Sequence, residues 1–114
     1  MDFPEKTISY PFGEMDVQSP AYAATIDVAV SNQKTLVNVG QLTGALTLNV
    51  AADKELKKGA ELVVLLQSDG TARATTLGTG FKGVAIAGVI NKTKVAYFVY
   101  DGTNFVNISV IQVD

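Results

Sequence analysis

The 114-residue chain predicts an all-β fold: an antiparallel β-sandwich or jelly-roll-like domain over residues 23–114, behind an extended N-terminal arm over residues 1–22. Three observations carry that prediction. Val, Ile and Thr contribute 15, 6 and 11 residues, and β-branched side chains suit a pleated surface better than a helix. All three prolines, Pro4, Pro11 and Pro20, fall within the first 22 residues. After them the sequence breaks into short apolar segments separated by Gly, Asn and Asp, at about the 8–12-residue spacing of all-β domains.

The arm also holds four of the nine aromatic residues, Phe3, Tyr10, Phe12 and Tyr22. Proline lacks the amide that a ladder or helix requires and pushes the preceding residue toward extended geometry. Aromatic side chains on such a segment gain by landing on a surface, so these four are the expected protein-interface residues.

From Ala23 onward the elements follow in order. Ile26, Val28 and Val30 alternate with polar or small residues, the two-residue period of a half-buried strand. Ser31–Lys34 turns the chain. Leu36–Val39 is a second strand ended by Gly40, and Leu46, Leu48 and Val50 form a third. Asp53–Lys58 has the cap and stop residues of a single helical turn, Asp53 before it and Gly59 after. Leu62–Leu66 is apolar without alternation, as expected of a strand covered on both faces by the fold or by a neighbouring subunit. Asp69-Gly70 signals a hairpin leading to a strand over Thr71–Leu77; Gly78-Thr79-Gly80 breaks it, and Val84–Ile90 is the next expected strand. Asn91-Lys92 is a further turn. Val95–Tyr100, Asp101-Gly102 and Phe105–Val113 make the clearest hairpin.

Composition narrows the chemistry. With no His and no Cys, the commonest catalytic base, disulfides and thiolate metal sites are all missing, so no catalytic, cofactor or metal residue is assigned. Nine bases against eleven acids leave a net charge of −2, the wrong balance for gripping phosphates or an anionic membrane surface, so neither nucleic acid nor membrane is an expected partner. The longest aliphatic run, Leu62–Leu66, is far shorter than the roughly 18 residues of a membrane span. The opening residues Met1–Lys6 lack the basic and apolar regions of a secretion signal, so assembly in a cytoplasm is expected. Charged residues are only 18% of the chain and mean hydropathy is +0.24; for so small a domain this predicts surface that a partner covers.

Several motifs have a plain structural reading. Gly78-Thr79-Gly80-Phe81-Lys82-Gly83 spells a dinucleotide-binding pattern, but a strand-like segment follows it instead of the helix that would present free amides, so it reads as a glycine turn. Asp101–Asn104 offers oxygens to calcium, yet the same residues make a hairpin turn. The acid pairs Asp53/Glu55 and Glu14/Asp16 read as solvated carboxylates. Arg73, the single arginine, suits either an ion pair across a subunit contact or an exposed strand position. Asn91 and Asn107 fit the glycosylation sequon, which matters only in a secretory pathway.

Four stretches carry a family resemblance: Gln41–Val50, Lys58–Leu62, Asp69–Arg73 with Gly78–Phe81, and Lys92–Lys94 with Tyr100–Val106. Over about residues 35–114 the chain resembles small β-domain proteins of tailed-bacteriophage virions, known as head fibre, capsid decoration or auxiliary capsid proteins. The resemblance implies a structural virion protein, a homotrimer on the capsid surface assembled in the host cytoplasm, with no catalytic residues. The N-terminal arm, which lies outside the resemblance, would grip the major capsid protein or another virion protein. The alternative is a fibre domain that binds a host receptor or carbohydrate, for which Phe81, Tyr97, Tyr100 and Phe105 are the available ring platforms.

Overall fold

The structure, a computed structural model, describes residues 15–114. Among them are nine strands: β1 (Asp16–Gln18), β2 (Thr25–Val30), β3 (Lys34–Leu42), β4 (Leu46–Ala52), β5 (Glu61–Ser68), β6 (Thr75–Leu77), β7 (Phe81–Lys82), β8 (Thr93–Tyr100) and β9 (Phe105–Gln112). The fold is all-β. A six-stranded sheet has the order β1-β3-β5-β8-β9-β7, and a three-stranded sheet the order β2-β4-β6.

Through β6 the chain visits the two sheets alternately, and each neighbouring pair it makes on the way is parallel. This winding is β-solenoid-like, each rung laying one strand on each sheet. Thr25 sits beside Thr47, and Leu36 beside Val63. Among the described strands, antiparallel ladders are confined to β5, β8 and β9, the short β7 runs parallel to β9, and one isolated antiparallel bridge joins Thr75 to Ile86.

The antiparallel sandwich or jelly roll expected from the sequence is therefore corrected for the first six strands. Parallel and antiparallel strands share the same two-residue side-chain period, so alternation does not distinguish them. What decides is the corners. Asp69-Gly70 does not fold β5 back on itself: Asp69 Oδ1 accepts the Thr71 amide at 3.0 Å and Ser68 Oγ accepts the Arg73 amide at 3.1 Å, bending the chain toward the smaller sheet. Asp101-Gly102 does make a hairpin, closed by the Asp101 amide on the Asn104 carbonyl at 3.0 Å. The expected strand over Val84–Ile90 is also absent; only Ile86 bridges, to Thr75. Gly40 does not end its strand but sits in a bulge of β3 between Asn38 and Gln41, where its amide donates to Asn38 Oδ1. At residues 53–60, as expected, the chain makes turns and not a core helix, with Asp53 Oδ2 accepting the Glu55 amide.

One core lies between the sheets. Ile26, Val28, Val30, Leu46, Leu48 and Val50 reach it from the small sheet, and Val37, Leu62, Val64, Leu66, Phe98 and Phe105 from the large one. β1, formed by residues 16–18 of the proline-bearing stretch, is the edge strand beside β3.

Thr35 is buried on the inner face of β3, and its hydroxyl has no hydrogen-bond partner among the described residues. A buried donor with nothing to bind costs more than an isosteric methyl. Thr35→Val is accordingly expected to stabilise the domain by about 1 kcal/mol, read as a rise in the urea midpoint with an unchanged slope.

Candidate protein-interaction surface

The two sheets have similar inner faces and opposite outer ones. On the small sheet the outward positions are Thr25, Asp27, Ala29, Thr47, Asn49, Ala51 and Thr76, a surface of short polar or small groups suited to water. Asn49 links its rungs: Nδ2 donates to Asp27 Oδ1 at 3.0 Å and Oδ1 accepts the Thr79 amide at 2.8 Å.

The large sheet presents aliphatic and aromatic groups instead. Register aligns Val17, Leu36, Val63 and Tyr97 across β1, β3, β5 and β8, and Leu65, Val95 and Ile111 across β5, β8 and β9, with Val95 itself buried in that row. Leu62, Val64 and Leu66 point into the core, while Val63 and Leu65 lie half-buried on this outer face. That explains the unbroken apolar run: one half of it packs inside and the other half lines the outside of the sheet.

A bulge shapes the face. The β8–β9 register shifts between Tyr97 and Phe98, leaving Ile108 unpaired and 62% exposed. Asn107 stabilises the irregularity, its Nδ2 donating to the Tyr97 carbonyl at 3.0 Å and the Ser109 carbonyl at 3.3 Å. Beside Ile108 runs a shallow groove of about 430 Å³, lined by Val63, Tyr97, Val99, Ile108 and Ile111 among others.

Of the aromatic residues expected at an interface, Phe3, Tyr10 and Phe12 lie outside the described residues. Tyr22 is half-buried against the core, with its hydroxyl donating to the Ala45 carbonyl at 2.7 Å. Among the four candidate ring platforms, Phe105 is fully buried, Phe81 packs on Phe98 at 4.8 Å, and Tyr100 packs on Phe105 at 4.9 Å. Tyr97 alone of the four is exposed, at 40%.

The remaining motifs have local roles. Gly78-Thr79-Gly80 is a turn clamped to β4 by the Gly78 amide on the Leu48 carbonyl and the Val50 amide on the Thr79 carbonyl, both 2.8 Å. Asp101 Oδ1 accepts the Thr103 and Asn104 amides, and this holds its carboxyl below the ordinary range. Arg73 pairs within its own chain, Nε to Asp69 Oδ1 at 2.8 Å and Nη2 to Asp69 Oδ2 at 3.1 Å. The exposed strand position does not hold, since Arg73 precedes β6 (Thr75–Leu77) and the pair braces the corner after β5. Among the described residues no helix is long and apolar enough to cross a membrane.

The Arg73 hydrogen bond, and next the Thr71 amide, lower the Asp69 pKa. A carboxylate with a folded-state pKa below its unfolded value adds stability above the unfolded value, roughly pH 4, and loses it as pH falls toward the folded one. Melting temperature is therefore expected to drop on acidification below about pH 4. Arg73→Met should flatten part of that acid limb, leaving the parts due to the Thr71 amide on Asp69 and to Asp101. An acid limb identical in the variant would remove the pair from the account.

No protein-family model matches the chain, and a search of curated proteins found no match.

Proposed function

We propose that this chain is a structural virion protein of a tailed bacteriophage, an auxiliary capsid, decoration or head fibre component that acts by binding and not by catalysis. It associates into a trimer, attaches to the head through the N-terminal arm, and stabilises or decorates the capsid surface. The observation that carries this reading is the contrast between the two outer faces. A chain whose small sheet is finished in Thr, Asp and Asn, and whose large sheet is finished in Val, Leu, Ile and Tyr, is suited to life in an assembly. The family resemblance over residues 35–114 supplies the kind of assembly.

The arm reading rests on the segment before β1. Tyr22 is engaged with its own chain, which leaves Phe3, Tyr10 and Phe12 as the anchors. The glycan-binding alternative has less support, because three of its four platforms pack into or against the core.

The test is co-sedimentation of the full chain with purified phage heads stripped of auxiliary proteins. Saturable pelleting is expected, and replacing Tyr10 and Phe12 together by Ser should weaken it by about tenfold or more. Absence of pelleting at micromolar concentration would overturn the reading.

A further inference from the structure

We infer that the outer face of the large sheet is the surface through which copies of this chain pack on one another, with Ile108 of one copy seated in the groove beside Tyr97 of the next. This deepens the proposed function by naming a surface for its self-association, and it rests on that reading only for the biological setting.

Size comes first. Four strands of eight or nine residues, β3, β5, β8 and β9, spaced about 4.8 Å apart with a rise of about 3.3 Å per residue, cover roughly 500 Å² in plan. Side-chain relief and the edge strand β1 bring that toward the roughly 800 Å² per partner of a stable protein interface. The face is large enough for a second copy and far larger than a small ligand needs.

Shape is the second consideration. The bulge residue Ile108 projects, and the groove it borders is lined by Val63, Tyr97 and Ile111 of the same sheet. A projection and a recess side by side on one face are what identical copies need in order to interlock, whether about a two-fold or a three-fold axis. Sheets stack at about 10 Å when such side chains interdigitate.

Charge favours a like partner as well. The apolar centre is edged by Lys34 and Glu61, Cα partners across β3 and β5, and by Asn38 and Gln67, while Ser109 lies within the groove beside its cross-strand partner Tyr97. The edge thus carries both signs, and with a net charge of only −2 two copies meet without strong mutual repulsion. An apolar centre inside a polar, mixed-charge margin is the anatomy of a protein–protein contact.

The small sheet supplies the control. Its outer face is built on the same winding but carries Thr47, Asn49 and Thr76 where the large sheet carries Val63, Leu65 and Tyr97. The apolar finish is therefore specific to one side of the solenoid.

The experiment is the solution mass of the full chain by light scattering at micromolar concentration, without phage heads, for the unaltered protein and three variants. Tyr97→Lys puts a charge in the groove, Ser109→Asp adds a charge to the same face while removing no apolar contact, and Thr47→Lys adds one to the small sheet. The expected result is an oligomer for the unaltered chain and Thr47→Lys, and a monomer, with the β-sheet circular dichroism retained, for Tyr97→Lys and Ser109→Asp. Should Tyr97→Lys fail to fold, Ser109→Asp decides. A monomeric unaltered chain, or an oligomer whose mass Ser109→Asp leaves unchanged, would overturn the inference. Because the readout is mass without heads, a monomer that still pellets with them refutes this surface and the trimer but not the attachment to the head; an oligomer that fails to pellet does the reverse.

Discussion

Phe98→Ala is expected to cost about 3–5 kcal/mol of stability, a large share of the roughly 5–15 kcal/mol available to a domain of this size. Phe98 lies on β8 with 1% of its surface exposed, is the cross-strand partner of Leu62, and packs at a tilt on Phe81 with ring centroids 4.8 Å apart. It therefore supports two regions at once. Toward β5 it fills the core between the sheets, and toward β7 it anchors the short strand that joins the turn over residues 78–80 to β9. Truncation leaves a cavity lined by groups that belong to different rungs and cannot collapse together. The midpoint of thermal unfolding should fall by roughly 15 °C or more, measured by circular dichroism. A fall of only a few degrees would mean that the solenoid core does not close on Phe98 as described.

Gly80→Ala is the second large effect, and its value lies in comparison with Gly59→Ala. Both glycines have positive φ, +86° at Gly80 and +94° at Gly59, so a side chain at either brings the left-handed penalty of about 1–2 kcal/mol. Their surroundings differ. A Cβ at Gly59 meets nothing within 4 Å, whereas one at Gly80 would collide with the Val50 carbonyl oxygen. That turn cannot move aside easily. It is tied to β4 by the Gly78 and Val50 amides and to β9 by the Phe105 amide on the Gly80 carbonyl, each at 2.8 Å. Gly59→Ala should therefore lose about 1–2 kcal/mol and Gly80→Ala at least about 3 kcal/mol, measured by urea unfolding. Equal losses would place the 78–80 turn away from β4.

Much of the fold can be read from the residues, because local patterns are local physics. Alternation in Thr25–Val30 and Leu46–Val50 gives strands with one buried face, and the hairpin at Asp101-Gly102 follows from turn chemistry. Strand direction does not follow, since the period of two is blind to it and Asp69-Gly70 looks like a hairpin whether it folds back or turns a corner. A signal for parallel winding is nonetheless present. Thr25-Ile26-Asp27-Val28-Ala29-Val30 and Thr47-Leu48-Asn49-Val50-Ala51-Ala52 are near-repeats, and the structure stacks them residue on residue, Thr on Thr, Ile on Leu, Asp on Asn. Such self-similarity is the mark of a solenoid rung.

Val84–Ile90 shows the opposite failure. Its apolar composition suggests a strand, yet Val84 and Ile90 are exposed and Ile86 alone is buried. Gly88 gives the reason: a Cβ there would collide with the Arg73 carbonyl and Ser68 Oγ, so the backbone is drawn across the corner after β5 instead of along a sheet edge. The candidate surface was half legible. An apolar run without alternation at Leu62–Leu66 signals cover on two faces, but Ile108 becomes part of that surface only through a bulge, and its position depends on the Asn107 amide bonding to Tyr97 and Ser109. Neither residue type nor spacing encodes that shift.

Whether this domain packs on its own copies is decided by sedimentation equilibrium of the unaltered full chain over a concentration series. A species of at least twice the 12.0 kDa chain mass is expected, dissociating only on dilution. A single 12.0 kDa species persisting to the highest soluble concentration would contradict that packing.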